Sequence, residues 1–325
     1  MIDYRAAKET FEQYLNGYDR NNDKVKLKIV HTYGVVAQST EIARRMELSE
    51  EDRSLARIIA LLHDIGRFEQ LKRYDSFMPE TMDHAAYGVQ VLFREGMIRR
   101  FVPEDMWDDI IETAIAKHSD FVLEGIEDER TLLHARIIRD ADKLDNCRVK
   151  LVDDLETFMG AGADEIGASS ISPKICKDAL EGKSILSAER VTLMDYWVSY
   201  LAYFYDLNFR ESLDIVEEND YVRRIIHRIP YTNPETAETM EELEKRLVSY
   251  IHEAKKYRTK KSAEETQRSF SVYTSSRLCR NTGICCLAFL HSSRSIAVMR
   301  ISSPASIMET VLPHGSVIML WPHDM

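Results

Sequence analysis

His63 and Asp64 stand side by side in ALLHDIGRFE, residues 60–69, behind the apolar run 55–62. An imidazole and a carboxylate together suit a hard-to-borderline metal ion. Neighbours on a helix lie about 100° apart around its axis, so both side chains can reach one ion at a helix end. A lone His-Asp pair would read as a solvated helix end. Here residues of matching chemistry flank it: His31 in KIVHTYGVV upstream and Asp142 in IIRDADKLDN downstream. His84 in MDHAAYGVQVLF and His118 in IAKHSDF lie between them.

At these residues the chain resembles the HD-domain superfamily of metal-dependent phosphohydrolases. That family's pattern falls here on His31, His63, Asp64 and Asp142, and the likeness spans roughly residues 24–155. The resemblance implies that these four hold a divalent ion with open positions for water and substrate. Mn²⁺, Fe²⁺, Co²⁺, Ni²⁺ or Zn²⁺ suits the set, Mg²⁺ less readily. It also implies phosphoester hydrolysis by a metal-activated water, on a small phosphorylated substrate such as a nucleotide. The motif is specific for the superfamily and not for a substrate.

His84 and His118 leave two arrangements open. In binuclear members, two histidines between the dyad and the last aspartate bind a second metal. In mononuclear members, a histidine near the place of His84 faces the phosphate as acid or base. The catalytic candidates are therefore Asp64, His84 and His118. The candidate ligands are His31, His63, Asp64, Asp142, His84 and His118, for one or two ions per chain. Two ions are preferred, because four histidines and two aspartates are the complement such a site uses. Arg67 and Lys117, each with a solvated surface role as its competitor, and Lys143 are candidates for meeting substrate phosphate. Asp145 and Asn146 share a helix face with Asp142, and Asp145 can assist a water or hold Lys143 or Arg148. His134, His227 and His252 lack ligand-like neighbours. Two other functions compete: an HD-type di-iron oxygenase, whose six ligands hold two irons on the same scaffold, and a non-catalytic nucleotide sensor.

The elements that must position these residues read as amphipathic helices, an all-α, HD-domain-like bundle of about ten through residue 258. Tyr4, Ala7, Phe11, Tyr14 and Leu15 share one face of a helix over 3–16. Asn21, Asn22 and Asp23 form a turn that caps a helix over about 24–46 carrying His31, and Ser49 with Asp52 opens the helix that runs into the dyad. Gly66 is placed to end it. Residues 67–82 break the periodicity and read as a loop beside the site, a lid or a plain connector. Asp83 caps a helix that begins with His84. Pro103 opens another that ends near His118. A long helix over about 132–158 carries Asp142. Gly160, Gly162 and Gly167 mark a loop, and helices follow near 173–182, 191–206, 211–228 and 235–257. The aromatic stretch DYWVSYLAYFYDLNF reads as core or a homodimer face rather than a ligand pocket.

The 325 residues carry a net charge of −11 and are 44% hydrophobic. An acidic surface repels nucleic-acid backbones, so long DNA or RNA is disfavoured as a partner. No apolar run approaches a membrane span, and the N-terminus lacks the apolar core of a signal peptide. Five cysteines without CxxC spacing fit a reducing cytoplasm. Lysine is absent after Lys261, whereas 12 of the 25 serines follow it. We therefore expect a metal-binding region over 1–160, helices of the same domain over 161–261, and an atypical tail over 262–325. A strand-rich appendage is the other reading of that tail.

Overall fold

A computed structural model describes the backbone of residues 2–282 and of segments 285–291, 295–301, 308–311 and 317–320, with side chains up to residue 258. The chain divides into two compact units, Met1–Lys255 and Lys256–Met325.

The described residues of the first unit are helical without a strand. Its helices are α1 (Tyr4–Leu15), α2 (Asp23–Arg45), α3 (Glu50–Leu62), α4 (Ile65–Tyr74), α5 (His84–Val89), α6 (Asp108–Ala116) and α7 (Glu129–Val152). Then come α8 (Leu155–Met159), α9 (Ala163–Ala168), α10 (Pro173–Leu180), α11 (Leu193–Ala202), α12 (Arg210–Glu218) and α13 (Tyr221–Ile226). The last, α14 (Pro234–Thr282), continues into the second unit.

At the centre α2 packs against both α3 and α7, and α3 also meets α7. Leu55, Ile58, Ile59, Leu61 and Leu62 of α3 are fully buried. The C-terminal half of α3, apolar nearly all round, must be covered all round, and each such side chain contributes about 1.5–3 kcal/mol on burial. That run ends at His63, so the burial that stabilises α3 also carries the dyad into the interior. Caps fix where the helices start. Asn22, Ser49 and Asp83 each accept backbone N–H groups of the first turn, a contribution of about 1 kcal/mol apiece.

Several sequence expectations are corrected. Gly66 does not end a helix; it lies buried inside α4, where a Cβ would come 2.2 Å from the His84 carbonyl oxygen. The glycine lets α4 and α5 meet at the site. Residues 67–74 are helical rather than loop. The loop beyond is fastened to α4 by Gln70, which donates to the Met78 carbonyl and the Thr81 hydroxyl, both at 2.8 Å. Pro103 stands outside any helix, and α6 starts only at Asp108. The expected 132–158 helix begins earlier and breaks at Asp153. The 211–228 helix splits at Asp220, whose φ of +51° interrupts the α-helical ladder.

Two carboxylates, Asp140 buried and Asp52 half-buried, tie α7 to its neighbours. Asp140 accepts the backbone N–H of Asn208 at 2.8 Å and of Phe209 at 3.1 Å, which fixes the turn before α12. Asp52 at the start of α3 meets His134 Nε2 at 3.1 Å and Arg130 Nε at 2.7 Å. Trp197, Leu201 and Phe204 of the aromatic stretch are core residues.

The second unit holds the rest of α14 and strands β1 (Cys285–His291), β2 (Ser295–Ile301), β3 (Met308–Val311) and β4 (Val317–Leu320). They form one antiparallel sheet in sequence order. The all-α character therefore belongs to the first unit.

Two measurements check this organisation. Removing residues 262–325 should leave the melting temperature and helical circular dichroism of the first unit unchanged within a few degrees; a large drop would make the tail part of that core. Burial opposes ionisation of Asp52, but Ser49, His134 and Arg130 hold its carboxyl down to about 2. The folded state then binds fewer protons than the unfolded chain, so stability is lost as pH falls from near 4 towards 2. Urea midpoints should fall over that range in the wild type and less steeply in Asp52→Asn. Parallel slopes would contradict the assignment.

Candidate metal centre

The apolar end of α3 and the start of α4 deliver His63 and Asp64 to one point. Asp64 itself, with φ −104° and ψ 18°, breaks the path between the two helices. That break swings the dyad's side chains towards α2, α5 and α7. His31 comes from the middle of α2, His84 from the first position of α5, His118 from the turn after α6, and Asp142 from mid-α7.

Asp64 is the meeting point. Its Oδ2 lies 3.6 Å from His63 Nε2 and 3.9 Å from His31 Nε2. Its Oδ1 lies 3.2 Å from His84 Nε2 and 3.7 Å from His118 Nε2. Asp142 Oδ1 closes the first side, 3.0 Å from His31 Nε2 and 4.0 Å from His63 Nε2. Two groups result, His31 with His63 and Asp142, and Asp64 with His84 and His118. Within each, the donor atoms lie within 4.8 Å of one another. Ligand atoms at metal bond lengths near 2.1 Å are about 3 to 3.5 Å apart, so small closures complete either set.

The imidazoles are held for the task. The Nδ1–H of His63 donates to the Ala60 carbonyl at 2.7 Å, and that of His118 to the Ile115 carbonyl at 2.7 Å. Both use a carbonyl three residues back, freed where a helix ends. The Nδ1–H of His31 donates to Asp145 Oδ2 at 2.8 Å, and Arg148 Nε holds Asp145 Oδ1 at 2.8 Å. In each case Nε2 keeps its lone pair and aims it inward, the orientation that outer partners give to metal ligands. His63 Nε2 is buried without a hydrogen-bond partner. A buried orphan acceptor costs about 1–3 kcal/mol, and a cation bound there would remove that cost.

Electrostatics agree. Burial by itself would raise the Asp64 carboxyl; Lys28, His63, His118 and His84 instead hold it well below the usual range. Burial pushes His63 down to about 4, and burial with Arg67 pushes His84 down to about 3. His63 and His84 are thus neutral near pH 7, as ligands must be, whereas at His31 burial and Lys28 oppose protonation and Asp142 with Asp145 outweigh them, raising it above the ordinary histidine value.

Lys28 Nζ sits 2.6 Å from Asp64 Oδ2, and Arg67 Nε 3.8 Å from Oδ1. Arg67 Nη2 also lies 3.0 Å from His84 Nε2. The other two phosphate candidates are paired: Lys117 with Asp120 at 3.5 Å, and Lys143 with Asp206 at 2.7 Å. Sequence reasoning missed Lys28, although it stands one turn before His31 on the same helix face. It also left open what Asp145 does. Asn146 holds Asp142, donating from Nδ2 to Oδ1 at 3.0 Å. His134 pairs with Asp52, His227 with Glu244 at 2.8 Å, and His252 is exposed.

With this geometry in hand, comparison with known proteins gives one family. Residues 29–147 match the family model described as HD domain. Over this stretch the chain is similar to that family. No curated protein and no solved structure matches the chain. The matched segment begins just before His31 and ends just after Asp145 and Asn146. All six candidate ligands lie inside it.

Gly34 shows how tightly the outer partners of this site are set. A Cβ there would fall 1.9 Å from Asp145 Oδ1. Gly34→Ala should therefore push Asp145 off His31 and lower metal affinity by about 10- to 100-fold, the range for losing such a partner. Asp145→Asn should do the same with less effect on melting. Metal titration beside thermal melting checks it; unchanged affinity in both variants would remove Asp145 from this role.

Proposed function

We propose that this chain is a metal-dependent phosphohydrolase acting on a nucleotide or another small phosphate ester. The observation that carries the reading is the shared carboxylate. Asp64 turns one oxygen to His31 and His63 and the other to His84 and His118, while Lys28 and Arg67 approach the same group. On this reading His31, His63, Asp142 and Asp64 hold one ion, and His84, His118 and Asp64 hold a second. Bound there, divalent ions would supply Lewis acidity to a phosphoryl oxygen and acidify water towards neutral pH.

The chain's own residues supply the rest. Asp145, Ala60 and Ile115 fix the imidazole tautomers. Burial of the cluster keeps the local dielectric low, so each charge acts at greater strength. Lys28 and Arg67 offer positive charge to phosphate oxygens, Arg67 as a planar fork. They are the feature that favours phosphate chemistry over the di-iron oxygenase, which would use the same six ligands and needs no cations beside them.

The test is metal analysis of the purified protein, then a screen of nucleotides and phosphate esters with Mn²⁺, Fe²⁺, Co²⁺, Ni²⁺, Zn²⁺ and Mg²⁺. Wild type should hold near two ions per chain and His84→Ala near one. Asp64→Ala should lose metal and turnover together, by roughly a thousandfold in rate, the equivalent of several kcal/mol. Full activity in Asp64→Ala would end the proposal. Oxygen uptake by the iron form without hydrolysis of any ester would select the oxygenase.

A further inference from the structure

Arg139 stands on α7 three residues before Asp142, so the two share a helix face. Its side chain is 4% exposed. It lies against the turn after α6, the turn that carries His118. Nη1 donates to three carbonyls of that turn, those of Lys117 at 3.3 Å, His118 at 3.4 Å and Asp120. Nη2 donates to a fourth, that of Phe121 at 3.4 Å, and to Asp206 Oδ2 at 2.9 Å. Asp206 also takes Lys143 at 2.7 Å, one turn further along α7.

His118 needs such support. It lies beyond the last residue of α6, and residues 119–128 after it form neither helix nor strand. Ser119, Asp120, Phe121 and Val122 are exposed, so no apolar packing pins the chain on that side. The Lys117–Asp120 pair is a half-exposed one and adds little. The His118 ring is itself buried, so the turn must hold a buried side chain from an exposed backbone. A guanidinium offers five N–H donors in a rigid plane and can meet several carbonyls at once, which an ammonium on a flexible stem does poorly. Four carbonyls converge on Arg139, and Asp206 fixes where its plane sits. α7 therefore gives the first group Asp142 directly and reaches the second group through Arg139 and the His118 turn.

We propose that Arg139 is the positioning residue of the second metal position: it sets the His118 turn at the depth where Nε2 reaches the Asp64 carboxylate, and the second group holds an ion tightly only while it does so. This rests on the two-ion reading of the site. His118 Nε2 lies 3.7 Å from Asp64 Oδ1 and 3.1 Å from His84 Nε2. Ligands of one ion keep about 3 to 3.5 Å between them, and bond lengths at a metal are held to about 0.2 Å. A shift of the turn by about 1 Å therefore takes His118 out of reach. The first group draws His31, His63 and Asp142 from α2, the end of α3 and α7, and uses no part of the turn. Loosening Arg139 separates the two positions: the first ion stays and the second is lost.

The experiment titrates the full chain with Mn²⁺ alone and reads two affinities by calorimetry, with no substrate present. Wild type is compared with Arg139→Met and with Arg139→Lys, which keeps a charge beside Asp206 but loses the fork. Arg139→Lys should bind its second ion about 10- to 100-fold more weakly, the range for losing an outer partner of a ligand, with the first ion's affinity within about twofold of wild type. Arg139→Met should hold near one ion. If Arg139→Met does not fold, Arg139→Lys decides alone. Two ions bound as tightly in Arg139→Lys as in wild type, or an equal weakening of both, would overturn this inference alone and leave Arg139 a clamp of the fold. A single ion in wild type would instead overturn the two-ion reading, and this inference with it.

Discussion

The structure turns on one buried carboxylate. Asp64 is 3% exposed and ionised, in a place where an unpaired charge would cost far more than the protein's net stability. Compensation comes from Lys28 of α2 and Arg67 of α4, and a bound cation would join the carboxylate to the four imidazoles around it. The apolar run of α3 drives the aspartate inward. Gly66 and Gly34 then allow the neighbouring chains to approach closely enough for the compensation to reach it. Without those contacts the dyad would be a charge left inside a hydrophobic core.

The same constraint explains the second ring of residues. Burial makes orientation matter, because a ring turned the wrong way strands a polar atom with no water to satisfy it. The protein meets this with carbonyls at helix ends for His63 and His118, and with Asp145 and Arg148 for His31. Asn146 does the same for Asp142. Asp140 and Asp206 carry the order outward, holding the aromatic segment against α7 beside Lys143. In this way the helical scaffold and the cluster are one continuous arrangement around α7.

Much of this was legible in the sequence. The turn of Asn21, Asn22 and Asp23, the caps Ser49 and Asp83 and the helical period of α1 to α3 gave those elements to within a residue or two. The six histidine and aspartate candidates were visible by residue type, and the structure brings all six together. What escaped has a common cause, that contacts between helices leave little trace in local pattern. Gly66 reads as a helix terminator until the approach of the His84 backbone is seen. Residues 67–74 mix charge and aromatics because both faces of α4 have partners, Gln70 on the loop side and Phe68 in the core, and that blurs the period. Pro103 fits a helix start by rule, yet α6 begins only at Asp108, beyond Trp107. Lys28 was within reach of local reasoning, since it precedes His31 by one turn. Tyr200 and Tyr203 were read with their apolar neighbours as core or a homodimer face; only their packing against α7 separates them from Trp197 and Phe204.

The central claim is that Asp64 joins two metal positions into one centre. Electron paramagnetic resonance of the Mn²⁺-loaded protein tests this most directly, because two Mn²⁺ ions sharing a carboxylate are exchange-coupled. The account predicts a broad, temperature-dependent coupled spectrum at full loading, which gives way to the simple sextet of isolated Mn²⁺ in His118→Ala. An isolated sextet in the fully loaded wild type, with the same intensity per ion as in that variant, would contradict it.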